Sequence, residues 1–341
     1  MIFKSLFILA FYVVTNLFLS LISVAGTVKI LDPDISFQAV HQIASDIWAS
    51  GTNGGIYHSG DGGLTWQKIS GPVNTENLQF RDIQPLADGG LLVMSAGEGE
   101  SSRVYRSNDQ GLTWQLQVSG TSTSAFFDCM HFTDNQNGWL YGDSDDEGLF
   151  ILATKDGGKN WQRQTMPFAA QAGEGGFASS GTCVNQGDNG AVYIATGNAA
   201  VSRVLVLNNR GWQGLESPIA GGEASGIFSV QQADNRLFIF GGSLKNEQSP
   251  AQAFQFNLTT NEWLALPEVP LKGAIYGSAL LREKDQLKIL IANPQGVALW
   301  QPDQTSWTML SRNNVWSLAC DAKYGCIGVG KDGLAESFTF L

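Results

Sequence analysis

Five carboxylates are the candidates for acid–base chemistry in a chain in which only 15% of the residues are charged: Asp82, Glu98, Asp128, Asp143 and Glu174. Two carboxyl groups can cleave a glycosidic bond, one as general acid and the other as nucleophile or base. They must then lie about 5 Å apart for retention, or roughly 6.5–9.5 Å apart for inversion. Asp128 and Glu174 are the candidate catalytic pair, and their surroundings in the fold decide whether they are free to act.

No complete metal or cofactor motif is present in the sequence. Alternate carboxylates at Asp143, Asp145 and Glu147 could supply oxygen ligands to calcium, but the stretch lacks the full loop of a calcium motif, which favours a solvated turn. The three histidines belong to separate units of the chain and predict no metal site or Ser-His-Asp set: His41, His58 and His131. We therefore expect no metal and no cofactor.

The composition restricts the fold and the partners. The 341 residues include 40 Gly, 10 Trp and 19 Phe, which is typical of a turn-rich β protein with aromatic packing. The formal net charge is −11, which argues against nucleic acid and against an anionic membrane surface as partners.

The first 25 residues have the pattern of a secretory signal. Lys4 precedes an apolar run over residues 6–21, and Ser23-Val24-Ala25 offers small residues for cleavage after Ala25. The alternative is an uncleaved anchor over residues 5–25, which is just long enough to span a bilayer. We expect a periplasmic or secreted protein whose single domain covers residues 26–341.

The four cysteines lack zinc-binding spacing. Cys320 and Cys326 flank an expected tight turn over residues 321–325 and could face each other across a hairpin. An oxidising envelope allows disulfides. Buried free thiols remain the alternative for Cys129, Cys183, Cys320 and Cys326.

The chain is built from repeats. Seven short apolar strands end in small residues, each preceded by a second strand and followed by a third, and a Trp closes six of the seven units. These strands cover residues 47–51, 91–97, 138–142, 192–197, 237–242, 288–293 and 326–330. Four strands and about 45 residues per unit match the period of a propeller blade. We predict an all-β, seven-bladed β-propeller, with six or eight blades as the alternative because residues 226–274 are irregular.

The last unit ends after its third strand, at residues 334–340, whereas the N-terminal part contains an orphan strand at residues 27–31. We expect this orphan to pair as the outer strand of the last blade, which closes the ring and removes its open edge.

Three units share the pattern [ST]-x-D-x-G-x-[TN]-W after their third strand. A carboxylate in such a turn can accept hydrogen bonds from local backbone amides, while the glycine suits a positive φ and the Trp packs into the core. Because these partners are local, a structural role is favoured over catalysis or metal binding. The residues are Ser59, Asp61, Gly63 and Trp66; Ser107, Asp109, Gly111 and Trp114; Thr154, Asp156, Gly158 and Trp161.

These turns resemble the Asp-box, or BNR, repeats of sialidase-like propellers. The chain as a whole is similar to bacterial relatives of the photosystem II stability and assembly factor family. The match is strongest over residues 80–183, with FRDI, SAGEGESSRVYRS, FFDCMHF, GDSDDEGLFILATKDGGKNW and GEGGFASSGTC. The resemblance implies a noncatalytic binding or assembly propeller and no established reaction.

Propeller topology places one set of polar residues at a single mouth of the central channel. The start of the first strand, the end of the second and the start of the third share one rim of a blade. The expected binding residues are Arg81, Asp82, Glu98, Arg103, Asp128, Asp143, Glu174, Ser180, Thr182, Arg203 and Ser229. The alternative for Arg81, Asp82 and Arg103 is an ion-pair network that ties neighbouring blades together.

Two classes of function follow. The first is a propeller that binds an envelope protein or peptide at this mouth. The second is a glycoside hydrolase that binds a glycan there. A sialidase also needs an arginine triad and a Tyr-Glu pair, and the sequence shows no clear Tyr-Glu unit. A closed ring needs no second subunit, so we expect a monomer.

Overall fold

The computed structural model describes residues 24–340 as seven antiparallel sheets arranged as the blades of a propeller. The predicted all-β, seven-bladed architecture is confirmed. The only helices among these residues are two 3-10 turns, at Gly99–Ser101 and Lys331–Gly333. No helix in the described range is long and apolar enough to cross a membrane.

The strands follow one another in chain order, four to a blade in blades 1 to 6, and each pairs with the next. Two short strands, β1 (Val24–Ala25) and β2 (Val28–Ile30), precede blade 1. Blade 1 contains β3 (Phe37–Ile43), β4 (Asp46–Gly51), β5 (Ile56–Ser59) and β6 (Gln67–Ile69); blade 2 contains β7 (Phe80–Pro85), β8 (Leu91–Ser95), β9 (Arg103–Ser107) and β10 (Gln115–Ser119); blade 3 contains β11 (Phe127–Phe132), β12 (Gly138–Asp145), β13 (Gly148–Thr154) and β14 (Gln162–Arg163).

The remaining blades repeat this order from the inner to the outer strand. Blade 4 contains β15 (Val184–Gln186), β16 (Val192–Ala195), β17 (Val201–Asn208) and β18 (Gly211–Ala220); blade 5 contains β19 (Ser225–Ala233), β20 (Arg236–Ser243), β21 (Gln252–Asn257) and β22 (Glu262–Ala265); blade 6 contains β23 (Gly277–Glu283), β24 (Gln286–Asn293), β25 (Gly296–Trp300) and β26 (Thr308–Ser311); blade 7 contains β27 (Val315–Asp321), β28 (Gly325–Gly330) and β29 (Leu334–Phe340).

The N-terminal strands complete blade 7. Strand β2 pairs with β29, with Val28 opposite Glu336 and Ile30 opposite Leu334. This confirms the expected closure, with the strand one residue shorter at each end than the predicted span 27–31. Strand β1 continues along β29. The predicted signal lies outside the described residues except for Val24 and Ala25, and its cleavage stays a prediction.

The hydrophobic core lies between neighbouring blades. One cluster packs Ile56 of blade 1 against Phe80 and Val93 of blade 2, and another packs Leu92 of blade 2 against Met130 of blade 3. A sheet that is hydrophobic on both faces is stable only when neighbouring layers cover it. The ring therefore fixes each inner strand between two others, and it holds the rim loops at set positions.

The three repeated turns form the expected local hydrogen bonds. Asp109 Oδ1 accepts from the amide of Thr113 at 2.8 Å and from the hydroxyl of Ser107 at 2.7 Å. The Ser107 hydroxyl in turn accepts from the amide of Gly111, whose φ is 88°. The turns at Asp61 and Asp156 repeat these contacts.

All four cysteines form disulfides. Cys129 of blade 3 is bonded to Cys183 beside blade 4, and Cys320 is bonded to Cys326 across the β27–β28 hairpin. The predicted hairpin pair is present. The alternative of buried free thiols is wrong for both pairs.

Candidate functional site

A β-bulge recurs at the start of the inner strand in five blades and sets the composition of the channel mouth. In blade 2, for example, Phe80 pairs with Ser95 and Asp82 with Met94, which leaves Arg81 as the extra residue. A bulge turns its side chain away from the regular alternation of a strand. The five bulged residues are Gln38, Arg81, Asp128, Phe228 and Trp316.

All five bulged residues line one cavity of about 480 Å³ at the channel mouth. Every blade contributes to it. Blades 1 to 4 supply the polar side and blades 5 to 7 the apolar side. The lining residues are Gln38, Arg81, Phe126, Asp128, Asp143, Gly176, Phe177, Ala178, Ser179, Asn198, Ala224, Phe228, Leu244, Tyr276 and Trp316.

A loop that we name the crossing segment, residues 175–181, runs across the channel beneath this cavity. Arg81 of blade 2 donates to the carbonyl of Ala178 at 2.7 Å, and the Ser179 hydroxyl donates to the carbonyl of Tyr276 in the loop before blade 6 at 2.9 Å. The Ser317 hydroxyl of blade 7 donates to the carbonyl of Ser180 at 2.9 Å. The segment thus binds to blades on opposite sides of the ring and closes the channel.

Two glycines let the crossing segment approach the carboxylates. The amide of Gly176 donates to Asp128 Oδ2 at 2.9 Å. A Cβ on Gly176 would lie 2.7 Å from that oxygen, and one on Gly175 would lie 1.7 Å from Asp143 Oδ1. A side chain at either position would therefore displace the neighbouring carboxyl group or the segment itself.

Burial dominates the electrostatics of the mouth. It raises the pKa of Asp128 well above its usual range, and the neighbouring charge of Asp143 raises it further, against the opposing effects of the Gly176 hydrogen bond and Arg81. Burial also raises the pKa of Asp143 to about 6. Burial lowers the pKa of Arg81. The mouth therefore holds two carboxyl groups that are costly to ionise and one cation.

Glu174, the other half of the expected catalytic pair, is engaged elsewhere. Its side chain is fully buried, and it accepts from Arg203 Nε at 2.7 Å and Nη2 at 2.6 Å. The amide of Gln171 donates to it as well. Both Glu174 and Arg203 lie outside the lining of the cavity. Asp128 and Glu174 therefore do not form an exposed pair of carboxylates.

Asp82 also differs from expectation. Asp82 and Asp128 were both expected at the mouth, but the bulges align Asp128 with Arg81 and Asp82 with Cys129. Asp82 is buried, and its carboxylate accepts from the amides of Ile83 and Met130 and from the side chain of Gln84. It joins blade 2 to blade 3 away from the cavity.

The other expected binding residues line no part of the cavity. Glu98 is exposed in the loop before β9, and Arg103 bonds to Glu100 and Tyr105. Arg81, Asp82 and Arg103 take part in no ion pair within residues 24–340, so the alternative of an ion-pair network between blades is absent there.

A chain of hydroxyls lies below the mouth. Thr182 is hydrogen-bonded to Ser180 and to Ser229, each at 2.7 Å, and Ser229 is bonded to Ser278 at 2.6 Å. Ser180 belongs to the crossing segment and not to the inner strand, which begins at Val184. These hydroxyls satisfy one another and tie blades 4, 5 and 6 together.

The carboxylates that could have bound calcium, Asp143, Asp145 and Glu147, do not converge on one point. Asp143 faces the cavity, whereas Asp145 accepts two hydrogen bonds of 2.6 Å from Arg163. His41 and His131 belong to separate blades, as expected, and burial lowers the pKa of each to about 4, with a smaller contribution of His41 to the shift of His131. No group of metal-ligating side chains is assembled among residues 24–340.

Tyr276, Trp316, Phe177 and Gln38 were missed from sequence. Phe177 stacks on Phe228 with centroids 3.7 Å apart, and Tyr276 lies 6.2 Å from Phe228 and 6.4 Å from Trp316. Gln38 and Trp316 are each the second residue of an inner strand, the position that Arg81 and Asp128 occupy in their own strands. This shared position is the signal by which they could have been predicted.

No protein-family model and no curated protein matches the chain. Among solved structures, YCF48 bound to D1 peptide is similar with a TM-score of 0.66, 12% identity, and coverage of 92% of this chain and 96% of that one. YCF48 from Cyanidioschyzon merolae is similar with a TM-score of 0.65 and 14% identity, and the match covers 92% of this chain and 98% of that one. A GH74 enzyme from Niastella koreensis is similar with a TM-score of 0.61 and 10% identity, and the match covers 88% of this chain and 52% of that one. At these identities the likeness shows the β-propeller fold alone.

Proposed function

We propose that this protein is an exported propeller that binds a peptide or a peptide segment of an envelope protein at the mouth cavity. The observation that carries the proposal is the convergence of five bulged side chains on one cavity above a closed channel. Concave sites with an apolar wall and a few convergent polar groups are typical of ligand binding.

The structural neighbours support this class of ligand. YCF48, a propeller of the same architecture, has been solved bound to a D1 peptide. The three turns with Asp61, Asp109 and Asp156 further support membership of the Asp-box group. Both disulfides fit an oxidising compartment, which agrees with the proposed export to the periplasm or beyond.

A glycoside hydrolase is the second candidate. One observation favours it: Asp128 and Asp143 both line the cavity, and the pKa of each is raised, as a general acid requires. Glu174 is excluded from this role by its two bonds to Arg203. In this alternative the catalytic pair is Asp128 and Asp143.

The two candidates are separated by probing a peptide array and a glycan array with the wild type, Trp316→Ala and Leu64→Ala. Leu64 is 72% exposed in the first of the repeated turns, and it serves as the control. We expect peptide binding that Trp316→Ala weakens and Leu64→Ala leaves unchanged. Hydrolysis of a glycan that is lost in folded Asp128→Asn would instead establish the hydrolase.

A further inference from the structure

We infer that the mouth cavity takes the cationic side chain of a lysine or arginine, held between Asp143 and the rings of Tyr276 and Trp316. The inference rests on the proposed peptide binding and adds the chemical class of the residue that is bound.

Acidic side chains outnumber basic ones on the cavity wall. Asp128 and Asp143 face it, and Arg81 is the one cation among the lining residues within the described range. The two terminal nitrogens of Arg81 already donate to the Ala178 carbonyl and to the Gln79 side chain. Ionisation of both carboxylates therefore leaves one negative charge, which a ligand cation would neutralise.

Two acceptors on the wall accept no hydrogen bond within residues 24–340, since the amide of Gly176, which lowers the pKa of Asp143, donates to Asp128. They are Asp143 Oδ1 and Gln38 Oε1, and the Gln38 side chain is only 3% exposed. A buried acceptor without a donor costs free energy, which a ligand N–H group would recover. Ammonium and guanidinium groups are rich in donors. The open donor at Arg81 Nε complements a main-chain carbonyl of the same peptide.

The opposite wall suits the rest of such a side chain. Tyr276 and Trp316, both half-buried, line it beside Phe228. Lysine and arginine lay their methylene stems on apolar surface while the charged end reaches polar partners, and aromatic faces attract the cation itself. The formal net charge of −11 draws basic segments toward the protein.

The test uses immobilised nonapeptide libraries that are random except for a central Lys, Arg, Glu or Leu. Binding of the labelled full-length protein is measured for the wild type, Asp143→Asn, Trp316→Ala and the exposed control Asp303→Asn. Circular dichroism and thermal melting establish that each variant is folded. We expect the Lys and Arg libraries to bind at least about tenfold more tightly than the Glu library. Asp143→Asn removes this preference, and Asp303→Asn retains it.

The outcomes separate this inference from the proposed function. Binding that Trp316→Ala weakens, but that shows no preference for Lys or Arg or no effect of Asp143→Asn, overturns the inference and leaves peptide binding at the mouth intact. Binding of no library, or binding that is unchanged in Trp316→Ala, overturns both.

Discussion

Asp128 accepts a 2.9 Å hydrogen bond from the main-chain amide of Gly176, a residue 48 positions later in the chain. This contact joins the bulge of blade 3 to the crossing segment. One carboxylate therefore lines the cavity and also anchors the segment that runs across the channel. Changes at either residue therefore affect the shape of the mouth.

Gly176→Ala should destabilise the fold and weaken ligand binding together, because its methyl group would lie 2.7 Å from Asp128 Oδ2. We expect a loss of about 1–3 kcal/mol in the free energy of unfolding, measured by urea denaturation. Gly60→Ala is the control, since a Cβ there has its nearest neighbour at 3.9 Å. Equal stability of the two variants would argue against the tight contact.

Asp143→Asn should stabilise the unliganded protein at neutral pH. The folded pKa of Asp143 is about 6 against an ordinary value of 3.8, so its stabilising contribution is present below pH 3.8 and is lost as the pH rises through 6. The variant should match the wild type near pH 4 and exceed it by at most about 3 kcal/mol above pH 7. Urea unfolding across this range measures the difference, and a difference that is constant with pH would contradict the account.

Glu174→Gln should lower the stability of the fold, because Glu174 has a structural and not a catalytic role. Removal of one charge of a buried pair leaves Arg203 without its counter-ion, at a cost of about 3–5 kcal/mol. The matched control is Glu223→Gln, which breaks an exposed pair with Lys245 and should cost about 0–1 kcal/mol. A stable Glu174→Gln protein that has lost a hydrolytic activity would show that the carboxylate is catalytic.

Loss of the Cys129–Cys183 disulfide should cost more than loss of the Cys320–Cys326 disulfide. The first closes a loop over a sequence separation of 54 and the second over 6. Loop-closure entropy gives about 4 and about 2 kcal/mol, respectively. Chemical unfolding of the two double Cys→Ser variants measures both. Equal costs would show that closing the longer loop adds no further stability to the protein.

The Asp109 carboxyl should titrate near pH 2, because hydrogen bonds from the Thr113 side chain and amide lower its pKa. Its contribution to stability is therefore present above pH 3.8 and is lost as the pH falls through 2. Carbon NMR of the carboxyl group in the wild type and in Thr113→Val measures the titration. The variant should titrate at a higher pH, and an unchanged midpoint would contradict the assignment of these bonds.

The blades, the ring closure and the turns were predictable because their signals are local. An apolar strand, a small residue and an Asp followed by Gly and Trp each specify nearby structure. The orphan strand near Val28 needed only the count of strands in the last unit.

The composition of the mouth was predictable only in part. Arg81, Asp128 and Asp143 were placed there correctly. The placement of Asp82 at the mouth was wrong because a bulge shifts the register by one residue, which no pattern of residue types along a single strand records. The role of Glu174 depends on Arg203 of blade 4, and the position of Ser180 depends on Ser317 of blade 7. These partners are distant in sequence, and no local pattern of residue types records such contacts.

The most direct test of the account is a crystal structure of the protein with a peptide selected from the libraries. We expect the peptide to lie in the mouth cavity and to contact Arg81, Asp143 and Trp316. A peptide bound instead at the opposite rim, against the turns of Asp61 and Asp109, would contradict it.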